Sequence, residues 1–353
     1  MAGTTPPAAA SSPKSQKSDT PPTTDAAPIE VGDDNPADDG DSALGTEASS
    51  SSASISSSIL DYRTMHGRTY HSERGTAQYW YGVWRLAVFP LLTSRRAPND
   101  ALQNEVMDIH HHLLTIASED KLHHAPIKKD IEKALDVGTG TGKTSFLESY
   151  PGHSLLNILF GIEIEDCTQP WTFRPDTFDY IHMRYLVGSV KDWSSLFEQA
   201  FRACKPGGWV ESFEGVPVMQ SDDGSVPDDS AMAGWGKTFI EAGKKLGRSF
   251  TVVDDNVQEE GMTAAGLVDI ESRIFKIPIG RWPKDQNYRN IGLFAQEVLE
   301  GDVEGHVLHV ADLAWGWSKE QVTVYCAKLR KEIRSGKHHP YYRIKIVYGR
   351  KPE

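Results

Sequence analysis

Ala134-Leu135-Asp136-Val137-Gly138-Thr139-Gly140-Thr141-Gly142 ends a short apolar run with an acidic residue close by and then sets glycines at alternate positions. That pattern is how a buried strand turns sharply into a helix. Gly138 permits the tight turn, Gly140 lets a ligand lie against bare backbone, and Gly142 lets the next helix pack close to the strand.

Three readings compete at this loop. Its spacing is the one used by S-adenosylmethionine methyltransferases, whose cofactor carries no phosphate. The dinucleotide fingerprint has two residues between its second and third glycines, and here there is one. Gly142-Lys143-Thr144 looks like the end of a phosphate-binding loop, but that motif needs Gly or Ala where Val137 stands. A glycine-rich turn is also often only a turn.

Composition bounds the rest. A chain of 353 residues has room for one large domain or two small ones with an ample core. Cys167, Cys204 and Cys326 are scattered and odd in number. They argue for a reducing compartment, cytoplasmic or nuclear, and against a disulfide scaffold or a zinc site. No apolar run approaches the ~18 residues of a membrane span, and the N-terminus lacks the basic-then-apolar order of a signal peptide. The net charge of −12 is uneven: residues 1–60 hold two lysines against nine acids, a net of −7, which leaves −5 for the remainder. Such an acidic globular part offers no electrostatic footprint for direct nucleic-acid binding, while a protein partner stays open.

Residues 1–58 are mostly Ala, Pro, Ser, Thr, Asp and Gly. They bring too little apolar surface to offset their ordering entropy, so the expectation is a disordered tail followed by one domain over residues 59–353. Asp61 to His71 is dense in aromatic and basic groups, as a flap over a ligand would be. Between Asn99 and His123, Leu102, Val106, Ile109, Leu113 and Ile116 recur at three- and four-residue steps and predict an amphipathic helix. His110, His111 and His112 lie on it, but neighbouring helical residues point about 100° apart and cannot converge on one metal. Phe178 to Met183 reads as a strand, Asp192 to Cys204 as a helix, and Lys205 to Glu211 as a Pro-Gly turn feeding a strand. A mostly helical stretch precedes Gly266 to Pro278, a loop and strand. Helical spacing follows over Asn287 to Leu299 and Ser318 to Ile333, and Tyr341 to Tyr348 closes as a last strand. Alternating strands and helices imply an α/β, doubly wound, mostly parallel sheet, with the last strand expected antiparallel. Ligands of such sheets lie beyond the carboxyl ends of the strands, where the glycine loop sits.

From about Tyr62 onward a set of motifs occurs in a definite order. They are Gly67-Arg68-Thr69-Tyr70-His71, Leu135 to Gly142, Glu165-Asp166-Cys167-Thr168-Gln169-Pro170-Trp171 and Phe178 to Arg184, then Lys205-Pro206-Gly207-Gly208-Trp209-Val210-Glu211 and Val347 to Pro352. Together they resemble the fungal LaeA-like methyltransferases, class I enzymes of secondary metabolism. The resemblance implies S-adenosylmethionine as cofactor and assigns roles. Asp136 resembles the acid that braces the loop and holds the cofactor's amino-acid end, and Gly138, Gly140 and Gly142 match the cradle. Asp166 resembles the carboxylate that accepts the adenine amino group, with the backbone of Cys167 at the ring; the plainer alternative is a helix cap before Thr168. His182 and Met183 fall where the family places the wall of the methyl-donor pocket, though ordinary core packing reads equally well. Tyr70 is a candidate to close the site from the flap.

The chain also departs from its family. Tyr81 to Arg96 is apolar and basic where relatives run directly into an acidic helix. Only 23 residues separate Gly142 from Asp166, room for one helix and one strand but not for the helix and two strands expected. Ser154 to Phe160 could be that strand, yet it ends without the acid that would hold the ribose hydroxyls; Glu163 is the nearest substitute. No catalytic acid or base stands out, and methyl transfer by in-line displacement can draw on proximity and orientation alone. Two functions follow: a methyltransferase acting on a small-molecule acceptor, or a fold of that type acting as a regulatory binding partner with little turnover.

Overall fold

The structure, a computed structural model, describes residues 23–24, 26–32, 63–65, 68–70, 101–138 and 167–353. In chain order these form β1 (Thr23–Thr24), β2 (Arg63–Met65), β3 (Arg68–Tyr70), α1 (Ala101–Ala117), β4 (Ala134–Val137), β5 (Phe178–Arg184), α2 (Trp193–Ala203) and β6 (Cys204–Gly215). They continue as α3 (Ala231–Leu246), α4 (Val257–Ala265), β7 (Val268–Pro278), α5 (Gln286–Gly301), α6 (Val303–Trp315), α7 (Lys319–Arg334) and β8 (Tyr341–Arg350).

Local chemistry sets many of these boundaries. Asp192 ends its approach to α2 in an extended conformation and its side chain accepts from Ser195 N at 2.9 Å. Asp285 does the same for α5 with Asn287 N and Tyr288 N. Ser318 and Gln321 make a reciprocal capping box at α7. Each satisfies backbone donors that the first helical turn leaves without partners. The buried stripe of α2 is Trp193, Leu196, Phe197, Ala200 and Ala203, the i, i+3, i+4, i+7 spacing of an amphipathic helix.

The sheet has the order β1-β7-β8-β6-β5-β4. Strands β4, β5 and β6 run parallel, while β8 runs antiparallel between β6 and β7. The fold is thus the doubly wound, mostly parallel α/β sheet with an antiparallel closing strand. Helices cover both faces. On one, Gln258 of α4 donates to the Ser212 carbonyl at 2.9 Å, beside α2. On the other lie the segment after α1 and helix α5, which packs on α1. Helices α3, α6 and α7 pack together beyond the strand ends.

Residues 23–24 and 26–32, inside the stretch expected to be a disordered tail, lie on the sheet. Thr23 and Thr24 pair in parallel with Ser272 and Arg273 on the β7 edge. Val31 bridges Pro283, Lys284 N donates to the Glu30 carbonyl at 2.8 Å, and Ile29 is buried with Trp282 and Tyr341. A single well-placed isoleucine and an open strand edge suffice to dock a polar segment. Ser154 to Phe160, Glu163 and Tyr81 to Arg96 lie outside the described residues.

Candidate functional site

Strand register builds the site. Asp136 on β4 pairs with His182 on β5, His182 with Glu211 on β6, Glu211 with Tyr348 on β8, and Tyr348 with Glu271 on β7. Directly opposed residues share a face, so one polar row crosses the sheet from β4 to β7. His182 Nδ1 lies 2.9 Å from Asp136 Oδ1, and its ring is 3% exposed. The imidazole therefore donates to the carboxylate and fixes its orientation. The second carboxylate oxygen, Oδ2, is buried and has no partner among the described residues. A buried acceptor in that state is costly unless a donor arrives. The end of β4 thus fits the ammonium of an amino-acid-bearing cofactor.

Gly138 follows at φ +81°, a conformation that L side chains rarely adopt, and a Cβ there would stand 2.8 Å from Leu186 Cδ2. The turn out of β4 needs glycine for both reasons. Gly140, Gly142 and Asp166 lie outside the described residues. Cys167 is half-buried, and its carbonyl accepts from the Trp171 indole at 3.0 Å. Met183 is fully buried in the core, on the face opposite His182. Tyr70 belongs to the β2–β3 hairpin, opposite Arg63, a two-stranded sheet separate from the main one.

Two buried carboxyls that the sequence reading did not single out organise the surroundings. Glu211 is fully buried and accepts from His124 N at 2.9 Å and Ala125 N at 2.6 Å, tying the segment after α1 to the sheet. Burial pushes its carboxyl up, and His182 pulls the other way. Glu214 accepts from Leu186 N at 3.1 Å and Val187 N at 2.8 Å. It stabilises the bend after β5, where Tyr185 holds a left-handed φ of 54°. Strained backbone of this kind persists only where its surroundings enforce it.

That bend separates two regions. On one side Arg184 and Leu186 approach Gly138; on the other Tyr185 and Val187 face a pocket, open on one side, beyond the carboxyl ends of β5 and β6. Its walls come from α1 (His110), α3 (Trp235, Phe239), α5 (Ala295, Val298, Leu299) and α6 (His306), closed by Phe250, Met219 and Tyr342. Gly215 makes room for the phenol: a Cβ there would sit 2.7 Å from the Tyr185 hydroxyl. Burial, helped by Arg184 and His306, pulls the His110 imidazole down to about 3, so it is neutral at pH 7. The consecutive histidines of α1 diverge. His110 meets Tyr185 edge-on at 4.7 Å, His111 accepts from the Arg184 guanidinium at 3.1 Å, and His112 meets Phe294. Among the described residues no helix is long and apolar enough to cross a membrane.

A family model described as "Methyltransferase domain" matches residues 101–222. Methyltransferase pytC of Aspergillus terreus is 32% identical over 82% of this chain and 88% of its own length. The secondary metabolism regulator LAE1 of Cochliobolus heterostrophus is 27% identical over 78% of this chain and 93% of its own. Among solved structures, phosphoethanolamine N-methyltransferase 2 of Haemonchus contortus is similar at a TM-score of 0.34 and 18% identity, covering 73% of this chain and 54% of that one.

Proposed function

The chain belongs to the LaeA-like family of fungal methyltransferases, and from that premise we propose that it transfers a methyl group from S-adenosylmethionine to a small intermediate of secondary metabolism. Bound at the carboxyl end of β4, the cofactor supplies a methyl group on a sulfonium. The protein's own residues bind and orient. Asp136, held by His182, offers its second oxygen to the cofactor's ammonium; the turn at Gly138 brings backbone close; and the bend at Arg184–Val187 lies between this region and the pocket. Holding donor and acceptor in one geometry can supply much of the rate enhancement. The observation that carries this reading is the oriented Asp136 carboxylate, whose second oxygen is buried and without a partner among the described residues.

Calorimetric titration with S-adenosylmethionine, followed by assay of S-adenosylhomocysteine release in the presence of candidate acceptors, tests it. Binding with turnover supports the reading. Absence of cofactor binding refutes it. The shortened segment between Gly142 and Asp166 favours a second reading, a regulatory partner with weak or no catalysis. A bidentate carboxylate on the ribose hydroxyls is worth about 1.5–3 kcal/mol, so its loss weakens binding roughly 10- to 150-fold. Weak binding without turnover on any acceptor favours the second reading. Low-micromolar affinity means that Glu163 or another group has replaced the lost acid.

A further inference from the structure

The pocket beyond β5 and β6 carries no carboxylate, ammonium or guanidinium among its described lining residues. Its polar groups are the imidazoles of His110 and His306, two phenols and one indole. His306 is 6% exposed, and its Nδ1 lies 2.6 Å from the Asp302 carbonyl. A carbonyl only accepts, so Nδ1 carries the proton and the ring orientation is fixed. Trp235, Phe239 and Phe250 supply flat, buried faces.

We infer that this pocket takes an uncharged, flat aromatic molecule bearing a hydroxyl or carbonyl oxygen, held between the α3 aromatics and the aliphatic side of α5, as the methyl acceptor. Aromatic walls reward a flat ring through offset and edge contacts. Imidazole, phenol and indole groups can meet a neutral oxygen. A charged occupant, including the lysine or arginine side chain of a protein substrate, would lose its water here with no counter-charge to meet it. The occupant's role as acceptor rests on the methyl-transfer reading; its binding does not.

The test titrates the full chain with 2-naphthol, with 2-naphthoate and with 2-(aminomethyl)naphthalene, probes that share a ring system and differ in charge. Tryptophan fluorescence and calorimetry read binding, and S-adenosylmethionine is titrated separately. The neutral naphthol should bind at least tenfold more tightly than either ion and quench tryptophan emission through Trp235. Ala295→Phe, which fills the pocket from α5, should weaken naphthol at least tenfold while leaving S-adenosylmethionine affinity unchanged. If that variant does not fold, Val298→Phe at a half-buried lining position provides the same readout. Equal or tighter binding of either charged probe overturns the inference, as does naphthol binding that survives the filled pocket. Naphthol bound by a chain that fails to bind S-adenosylmethionine would retain the pocket's chemistry and remove the methyl-transfer reading; the converse result would remove the pocket's assignment alone.

Discussion

At the scale of single residues, Asp136 was legible because an acid closing an apolar run before a glycine turn has few structural uses. Its partner His182 was singled out for a pocket wall, and the contact it makes depends on the β4–β5 register, which no local pattern encodes. Asp136→Asn keeps the shape and removes the charge that would meet an ammonium. Affinity for S-adenosylmethionine should fall roughly 10- to 150-fold, the weight of about 1.5–3 kcal/mol for a charge-assisted contact. Calorimetry on a variant of unchanged melting temperature checks this, and an affinity within threefold of the parent would sink the assignment. Glu214 gives a pH effect. Burial raises its carboxyl to about 8 despite two backbone donors, and Glu211 shifts in the same direction. The folded state therefore holds these protons more tightly than the unfolded chain. For Glu214 that stabilisation is full below about pH 4 and is lost as pH rises through about 8. Melting temperature should decline from mildly acidic to mildly alkaline buffer, and Glu214→Gln should flatten part of that decline. An unchanged slope would exclude Glu214 as its source.

Elements were read best where their ends are written locally. Asp192, Asp285 and Ser318 stand directly before the helices that they cap, and the apolar spacing of α2 matches its buried face. Helix α3 is different. Alongside its own Ser230, it is capped from α7: Glu332 accepts from Ala231 N and Met232 N at 3.0 Å each, and Tyr325 donates to the Ala231 carbonyl at 2.8 Å. An acid about a hundred residues away cannot be recognised as a cap from sequence. Because α3 presents Trp235 and Phe239 to the pocket, this cap also positions the wall. Glu332→Ala should cost about 1–2 kcal/mol, the usual weight of a lost cap reinforced by the helix dipole. Thermal denaturation should show a drop of roughly 2–4 °C per kcal/mol. A melting temperature equal to the parent's would show that Ser230 alone suffices.

Over the whole molecule, residues 26–32 are held by a few specific contacts. Averaged over residues 1–58 the chain is too polar to fold, yet stability answers to the burial of particular side chains. Ile29 is 8% exposed between Trp282 and Tyr341, and Ile29 N reaches the Asp222 carboxylate, which also takes the Lys276 ammonium at 2.8 Å. Ile29→Ala should destabilise by about 2 kcal/mol or more if the seat cannot collapse. Removal of residues 1–32 should lower the melting temperature by at least as much. Limited proteolysis read by mass spectrometry should find the bonds of residues 26–32 protected in the folded chain. Rapid cleavage there, with an unchanged melting temperature after deletion, would show that the docked segment contributes nothing.

The sequence by itself determined the α/β class, the antiparallel closing strand, the glycine turn after β4, and the family to which the chain belongs. These are read from residues close together in the chain, where periodicity, capping and turn chemistry act over a few positions. The polar row from Asp136 to Glu271, the strained bend at Tyr185 enforced by Glu214, and the uncharged pocket were decided only in three dimensions. Each gathers residues from several elements, and each member alone has an ordinary reading: a core tryptophan, a histidine on a helix, a glutamate in a strand. Their chemistry comes from burial and from what stands opposite them, and strand register and helix packing fix both.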